Sequence, residues 1–257
     1  MSASAELVHE ELKSQISKEE WDLRVDLAAA YRLIAHFGWD DLIFTHLSAR
    51  IPGADEHFLI NPFGLGFDEI TASNLVKIDV TGQAVGPSHY PVNPAGFTIH
   101  SAIHTAGNDA HCIMHVHTVA GCAVSAQKQG LQKLTQMAVQ MYSDVAYHDY
   151  EGVAVVEEEK ARLVADMGAK GCLILRNHGL LTVGRDVGEA FLRLYVLQRS
   201  CEMQIAAQSG GGELIELDDV MVDTVDSQVK SAFGFASQMS WAALRRKIER
   251  LDPGFME

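Results

Sequence analysis

Apolar and polar positions alternate along this chain with two periods, and the change from one to the other predicts the order of elements. From residue 18 to 37, Trp21, Leu27, Tyr31, Ile34 and Ala35 recur at helical spacing. Ser17 with Glu20 forms a capping-box pattern at the start, and Gly38 is a stop. Short strand-like pieces follow, from Phe44 to Ile51 and from His57 to Ile60, around the turn PGADE. Asn61-Pro62-Phe63-Gly64 reads as a loop, and Thr81-Gly82 as a hairpin turn between Lys77–Val80 and Gln83–Gly86. Asn93-Pro94 looks like an N-cap with proline in the first helical position, opening a helix to about Ala106, before Gly107-Asn108.

The stretch from His111 to His117 is the most informative strand. Period-two alternation puts Cys112, Met114 and Val116 on one face and His111, Ile113, His115 and His117 on the other. Thr118 caps a helix to about Gln127. Cys172–Arg176 and Leu180–Val183 are apolar strands joined across Asn177-His178-Gly179. Asp186 with Glu189 opens a long helix to about Ser209, closed by three glycines. Residues 1–16 form a polar lead-in. Residues 17–257 read as one domain with a helical tail over about 213–257. Strands with interspersed helices point to an α/β fold of three layers, α/β/α, with a mostly antiparallel or mixed sheet.

Composition narrows the function classes. The chain has 257 residues and a formal net charge of −14, the wrong sign for a general nucleic-acid binder. No apolar run is long enough to span a membrane, and the N-terminus lacks the pattern of a secretory signal. The four cysteines, Cys112, Cys122, Cys172 and Cys201, form no close pair. A reducing, cytoplasmic setting is therefore expected. The loop GLGFDE does not supply a dinucleotide-binding glycine pattern, and no serine sits in a nucleophile elbow.

His115 and His117, two residues apart on a strand, can offer two imidazoles to one ion. His178, in a tight turn far along the chain, is the candidate third ligand. Three neutral imidazoles suit zinc and leave a position for substrate. Spacing alone leaves manganese, iron and nickel open. It also leaves open that these are ordinary surface or core histidines, in a chain that has 12.

The segments CIMHVHTVAG and LILRNHGLLTVG resemble the metal-binding histidine motifs of the class II aldolase/adducin family. GWDDLIFTHLSARIP, HFLINPFGLGFDEITASNLVKID, NPAGFTIHSAIH, DVAYHDYEG and EEEK are similar, in order, to the adducin head domain. The resemblance spans about residues 20–212, and more loosely FASQMSWAALRR. It implies one divalent metal, most naturally zinc, on His115, His117 and His178. It implies a small-molecule substrate whose hydroxyl and carbonyl the metal chelates, with stabilisation of the enediolate left by carbon–carbon cleavage. It also implies a four-fold homotetramer with sites between subunits, and no nucleic-acid or membrane partner is expected.

Two departures from the family pattern shape the functional expectation. Family members carry a catalytic glutamate, as in PSSEWRFH, at the position of Gly96 here. Glycine cannot move a proton, so His100, one helical turn on, and Tyr142, expected in a loop, become the candidate acid/base groups. Tyr147, His148, Asp149 and Tyr150 read as a structural loop or an interface. The phosphate-binding turns also change, to Thr45-His46-Leu47-Ser48, Pro62-Phe63-Gly64 and Pro94-Ala95, with most donors gone. Phe63, Gly64 and Asn93 are the candidate substrate contacts, for a non-phosphorylated hydroxy- or keto-acid. A metal-dependent lyase, by retro-aldol cleavage or decarboxylation, is the leading expectation. A catalytically silent, adducin-like binding or assembly module is the alternative.

Overall fold

The computed structural model describes residues 12–53, 56–86, 90–106, 109–152 and 157–257. Within these, α1 (Lys18–Phe37) starts where Ser17 Oγ accepts from the Glu20 amide at 3.1 Å, and ends at Gly38 with φ of 67°. Only half of the expected capping box forms. The Glu20 carboxylate turns instead to Arg24 and to Lys77, each at 3.0 Å, because a buried guanidinium needs a counter-charge more than the helix start needs a second cap.

Seven strands form one mixed sheet in the order β3-β2-β1-β4-β7-β6-β5. They are β1 (His46–Arg50), β2 (Phe58–Ile60), β3 (Val76–Ile78), β4 (Cys112–Val116), β5 (Val145–His148), β6 (Cys172–Leu175) and β7 (Gly179–Gly184). Only β5 and β6 run parallel. The Thr81-Gly82 turn forms as expected, with Asp79 and Gln83 paired across it, but the return limb makes a single bridge, Ile78↔Ala84, rather than a strand. Ala54, Asp55, Gly107, Asn108 and residues 1–11, which belong to the expected PGADE turn, helix stop and lead-in, lie outside the described residues.

Helices cover both faces, giving the three layers. On one face, α1 and α6 (Val187–Ser209) pack against Leu47, Ala49, Cys112, Met114, Val116 and Leu180. The C-terminal helix α7 (Asp219–Leu251) belongs to the same layer, and Ile248 and Phe255 are buried in that core. Two short helices, α3 (Val119–Ser125) and α4 (Gln136–Tyr142), complete it. On the opposite face, α2 (Pro94–Thr105) and α5 (Glu157–Met167) cover Ile113, Leu173, Leu175, Leu181 and Val183. The alternation along β4 is therefore the expected one, with Ile113 and His115 facing the α2 side. Tyr142 is the last residue of α4 rather than a loop residue, because Thr135 Oγ1 caps an unforeseen helix. The strand β5 that follows it, parallel to β6, was not anticipated either.

One side chain couples the two layers at the strand that will matter most. The Tyr31 hydroxyl lies fully buried under β1, 2.7 Å from the Leu47 amide, which donates to it. The same oxygen is 2.6 Å from Leu47 O and 2.9 Å from Asn61 Oδ1, either of which can accept its single proton. Removing the oxygen strands a buried amide. Tyr31→Phe should therefore destabilise the protein by about 1–3 kcal/mol in urea unfolding. A loss below about 0.5 kcal/mol would mean that the hydroxyl does not brace β1.

Candidate metal centre

His115, His117 and His178 converge. One ligand atom from each lies within 4.8 Å of the other two. β4 supplies the first, and the second follows at its end. The third comes from the β6–β7 turn, where Asn177 adopts φ of 57°. Gly179 allows that turn to close on β4. A Cβ there would lie 2.5 Å from Val116 O and 3.1 Å from His117 Cδ2. The Cys122 thiol also holds the turn, donating to His178 O at 2.9 Å.

The rear edges of two rings are already committed. His115 Nδ1 is 3.0 Å from Leu180 O, a carbonyl that can only accept, so this nitrogen carries the proton. His117 Nδ1 is 3.0 Å from Asp41 Oδ2 and likewise donates. When both rings are neutral, their Nε2 atoms present bare lone pairs 2.9 Å apart. Two lone pairs at that distance repel, and a cation between them relieves the repulsion. The donor set fits a borderline metal such as zinc, and the carboxylate behind His117 is the usual partner of a metal-bound imidazole. Burial, and then the charges that neighbouring histidines would carry, hold His115 well below the usual imidazole range. Burial and His117 bring His178 down to about 4. Both rings are therefore neutral, and available as ligands, at neutral pH.

Beside this triad lies a second group of polar side chains, between the sheet and α2. His46 pairs with His115 in the β1–β4 register, and their rings are 5.3 Å apart. His46 Nδ1 is 2.9 Å from His100 Nε2. His100 Nδ1 is 2.6 Å from Ser48 Oγ, which is 2.7 Å from His104 Nε2. His104 Nδ1 ends the chain 2.7 Å from Ala110 O. Burial, ahead of the charges around it, lowers His46 to about 3 and His104 to about 3, and holds His100 well below the ordinary value. Thr45, just before His46, has φ of 65°, costly for a β-branched residue, and its buried hydroxyl has no partner among the described residues.

The other expected site residues fall as follows. His100 stands behind His46, with both ring nitrogens engaged. Tyr142 packs at the edge of the main core with Lys133 above its ring at 5.8 Å. Among the described residues, no hydrogen bond or ring contact joins Tyr142, Phe63 or Gly64 to the triad. The Phe63 amide donates to Pro91 O at 2.8 Å, Gly64 has φ of 108°, and Asn93 is half-buried at the entry to α2. The Pro94 and Ala95 side chains lie outside the described residues. Tyr147 and His148 lie in β5 rather than in a loop, the first receiving the Leu131 amide and the second bonded to Asp166 at 2.8 Å. Tyr150 is exposed, with its ring 6.5 Å from His178. Asp41 escaped the sequence reading, present there only within GWDDLIFTHLSAR, and His46 entered it only as part of the altered turn Thr45-His46-Leu47-Ser48.

This fold is that of a class II aldolase-type protein. Residues 25–205 match the family model described as the Class II Aldolase and Adducin N-terminal domain, and the chain belongs to that family. The crystal structure of an aldolase II superfamily protein from Pseudomonas syringae superposes with a TM-score of 0.93 at 49% identity, covering 96% of this chain and 100% of that one. The L-fuculose 1-phosphate aldolase of Glaciozyma antarctica superposes with a TM-score of 0.80 at 30% identity, over 91% and 92% of the two chains. Alpha-adducin of Mus musculus is 49% identical over 207 residues, which are 78% of this chain and 28% of that protein.

Asp41 gives the centre a direct test. Asp41→Asn keeps the shape of the side chain but removes the charge behind His117. Zinc affinity, measured by competition with a chelating dye, should fall about 10–100-fold. An unchanged affinity would remove Asp41 from the account.

Proposed function

We propose that this protein is a metal-dependent carbon–carbon lyase. It acts by retro-aldol cleavage or decarboxylation on a small, non-phosphorylated hydroxy- or keto-acid, with zinc held by His115, His117 and His178. The observation that carries this reading is the convergence of the three imidazoles with two rear edges bonded to Leu180 O and Asp41. A binding scaffold has no physical need for three converging lone-pair donors. When bound, the metal supplies Lewis-acid polarisation of a carbonyl oxygen.

The chain's own residues set the rest. β4 sets the position of His115, and the Gly179 turn sets that of His178. Phosphate is disfavoured because the altered turns Thr45–Ser48, Pro62–Gly64 and Pro94-Ala95 keep few donors, and the Phe63 amide is already used by Pro91 O. Phe63, Gly64 and Asn93 are the proposed substrate contacts. His100 acts through His46 rather than on substrate, since both its nitrogens are bonded. Tyr142 is a candidate proton donor only if a neighbouring subunit's site receives it, which accords with a proposed cytoplasmic homotetramer. The second reading, a catalytically silent adducin-like module, draws support from the absent carboxylate at Gly96 and the likeness to alpha-adducin.

Metal analysis of protein purified without chelator should find one zinc per chain, lost in His115→Ala. The zinc-loaded protein should release aldehyde or carbon dioxide from a panel of hydroxy- and keto-acids, and should not cleave the phosphorylated sugars run beside them. Absence of transition metal would defeat the lyase reading. Stoichiometric metal with no turnover across the panel would favour the module.

A further inference from the structure

Gly96 opens α2 directly beneath the ring of His46. A Cβ at position 96 would lie 2.2 Å from His46 Cδ2 and 2.6 Å from its Nε2. The space that a side chain at 96 would enter is therefore filled by an imidazole from β1. What that imidazole presents there depends on its tautomer, and the hydrogen-bond chain behind it fixes the tautomer.

The direction is set at the far end. Ala110 O can only accept, so His104 Nδ1 carries a proton. The ring is buried and neutral, so His104 Nε2 is a bare acceptor and takes the Ser48 hydroxyl proton. A serine has one proton to give. Ser48 Oγ must then accept from His100 Nδ1–H. His100, also buried and neutral, is left with an accepting Nε2, which requires His46 Nδ1–H to donate. Every link is satisfied in this one direction, and the reverse direction would need an extra proton within a buried layer. His46 is consequently left with a bare Nε2, at the edge where the 96 side chain would start.

We propose that His46, held as its Nδ1–H tautomer by Ser48, His100 and His104, is a substrate-contacting acceptor that takes a hydrogen bond from the hydroxyl of the bound hydroxy-acid. It stands in the space vacated at Gly96. This proposal rests on the hydroxy-acid reading above and adds a specificity rule to it. An edge with only a lone pair welcomes a hydroxyl donor and repels an oxygen of a phosphate-monoester dianion, which has nothing to donate.

The tautomer can be read without any turnover. The protein is labelled with 15N-histidine and its ring two-bond 1H–15N couplings are recorded, metal-free and zinc-loaded, with His46→Gln assigning the resonance. His46, His100 and His104 should all be Nδ1–H, the minor form of free histidine. Ser48→Ala should let His46 and His100 populate Nε2–H. In the zinc-loaded parent, glycolate should move the His46 Nε2 resonance, whereas acetate and the dianion of methyl phosphate should not. Glycolate affinity should fall about tenfold in Ser48→Ala, the loss of one good hydrogen bond. A protonated Nε2 on His46 in the parent, or glycolate affinity unchanged in both Ser48→Ala and His46→Gln, would overturn the proposal. A bare Nε2 in a protein that takes up no zinc would instead sink the hydroxy-acid reading and leave the tautomer assignment standing.

Discussion

Strand β4 is paired on both edges, and the site is referred to it. On one side His115 faces His46 of β1, and on the other it faces Leu181 of β7. A slip of one residue would turn His115 into the α1–α6 core and bring Met114 or Val116 outward. The apolar faces forbid this, because Cys112, Met114 and Val116 are fully embedded in that core. The same register that buries the apolar residues therefore presents the ligand. Pairing with β7 also delivers Leu180 O to the rear of the His115 ring, so one sheet fixes both the position of the imidazole and its tautomer.

The layer between the sheet and α2 is divided by chemistry. Toward β7 and β6 it is apolar, with Ile113, Leu173 and Leu181 under α2 and α5. Toward β1 it is polar, with His46, Ser48, His100 and His104 buried together. Four polar side chains in such a place are costly unless all are paired, and here they pair in sequence to a backbone carbonyl. Phe58 closes the outer end, stacked on His104 at 4.5 Å. The polar half adjoins the histidine triad, and the apolar half supports the strands that carry it.

Much of this was legible in the sequence because the signals are local. Ser17 and Gly38 bracket α1, Asp186 opens α6, and alternation along β4 separates Met114 from His115. The histidine turn was legible too, since Asn177 and Gly179 are residues that tolerate a left-handed or crowded backbone. What escaped is non-local. Asp41 reaches His117 across 76 residues of sequence. The contact between His46 and Gly96 needs β1 and α2 to be stacked before it exists. Gly96 on its own marked a lost carboxylate, and only the fold reveals that another side chain fills the gap. The short α4 and β5 escaped because their apolar patterns are brief, and their partners, β6 and α6, lie further along the chain.

The central claim is that three converging imidazoles, two of them pre-set by rear contacts to Leu180 O and Asp41, grip a single divalent cation. Anomalous diffraction at the zinc edge from crystals grown with zinc tests this most directly. The account predicts one strong peak per chain, bonded at about 2.0–2.1 Å to Nε2 of His115, Nε2 of His117 and a ring nitrogen of His178. Leu180 O and Asp41 should still lie behind the first two rings. A peak held by other residues, or none at these histidines with zinc in excess, would contradict it.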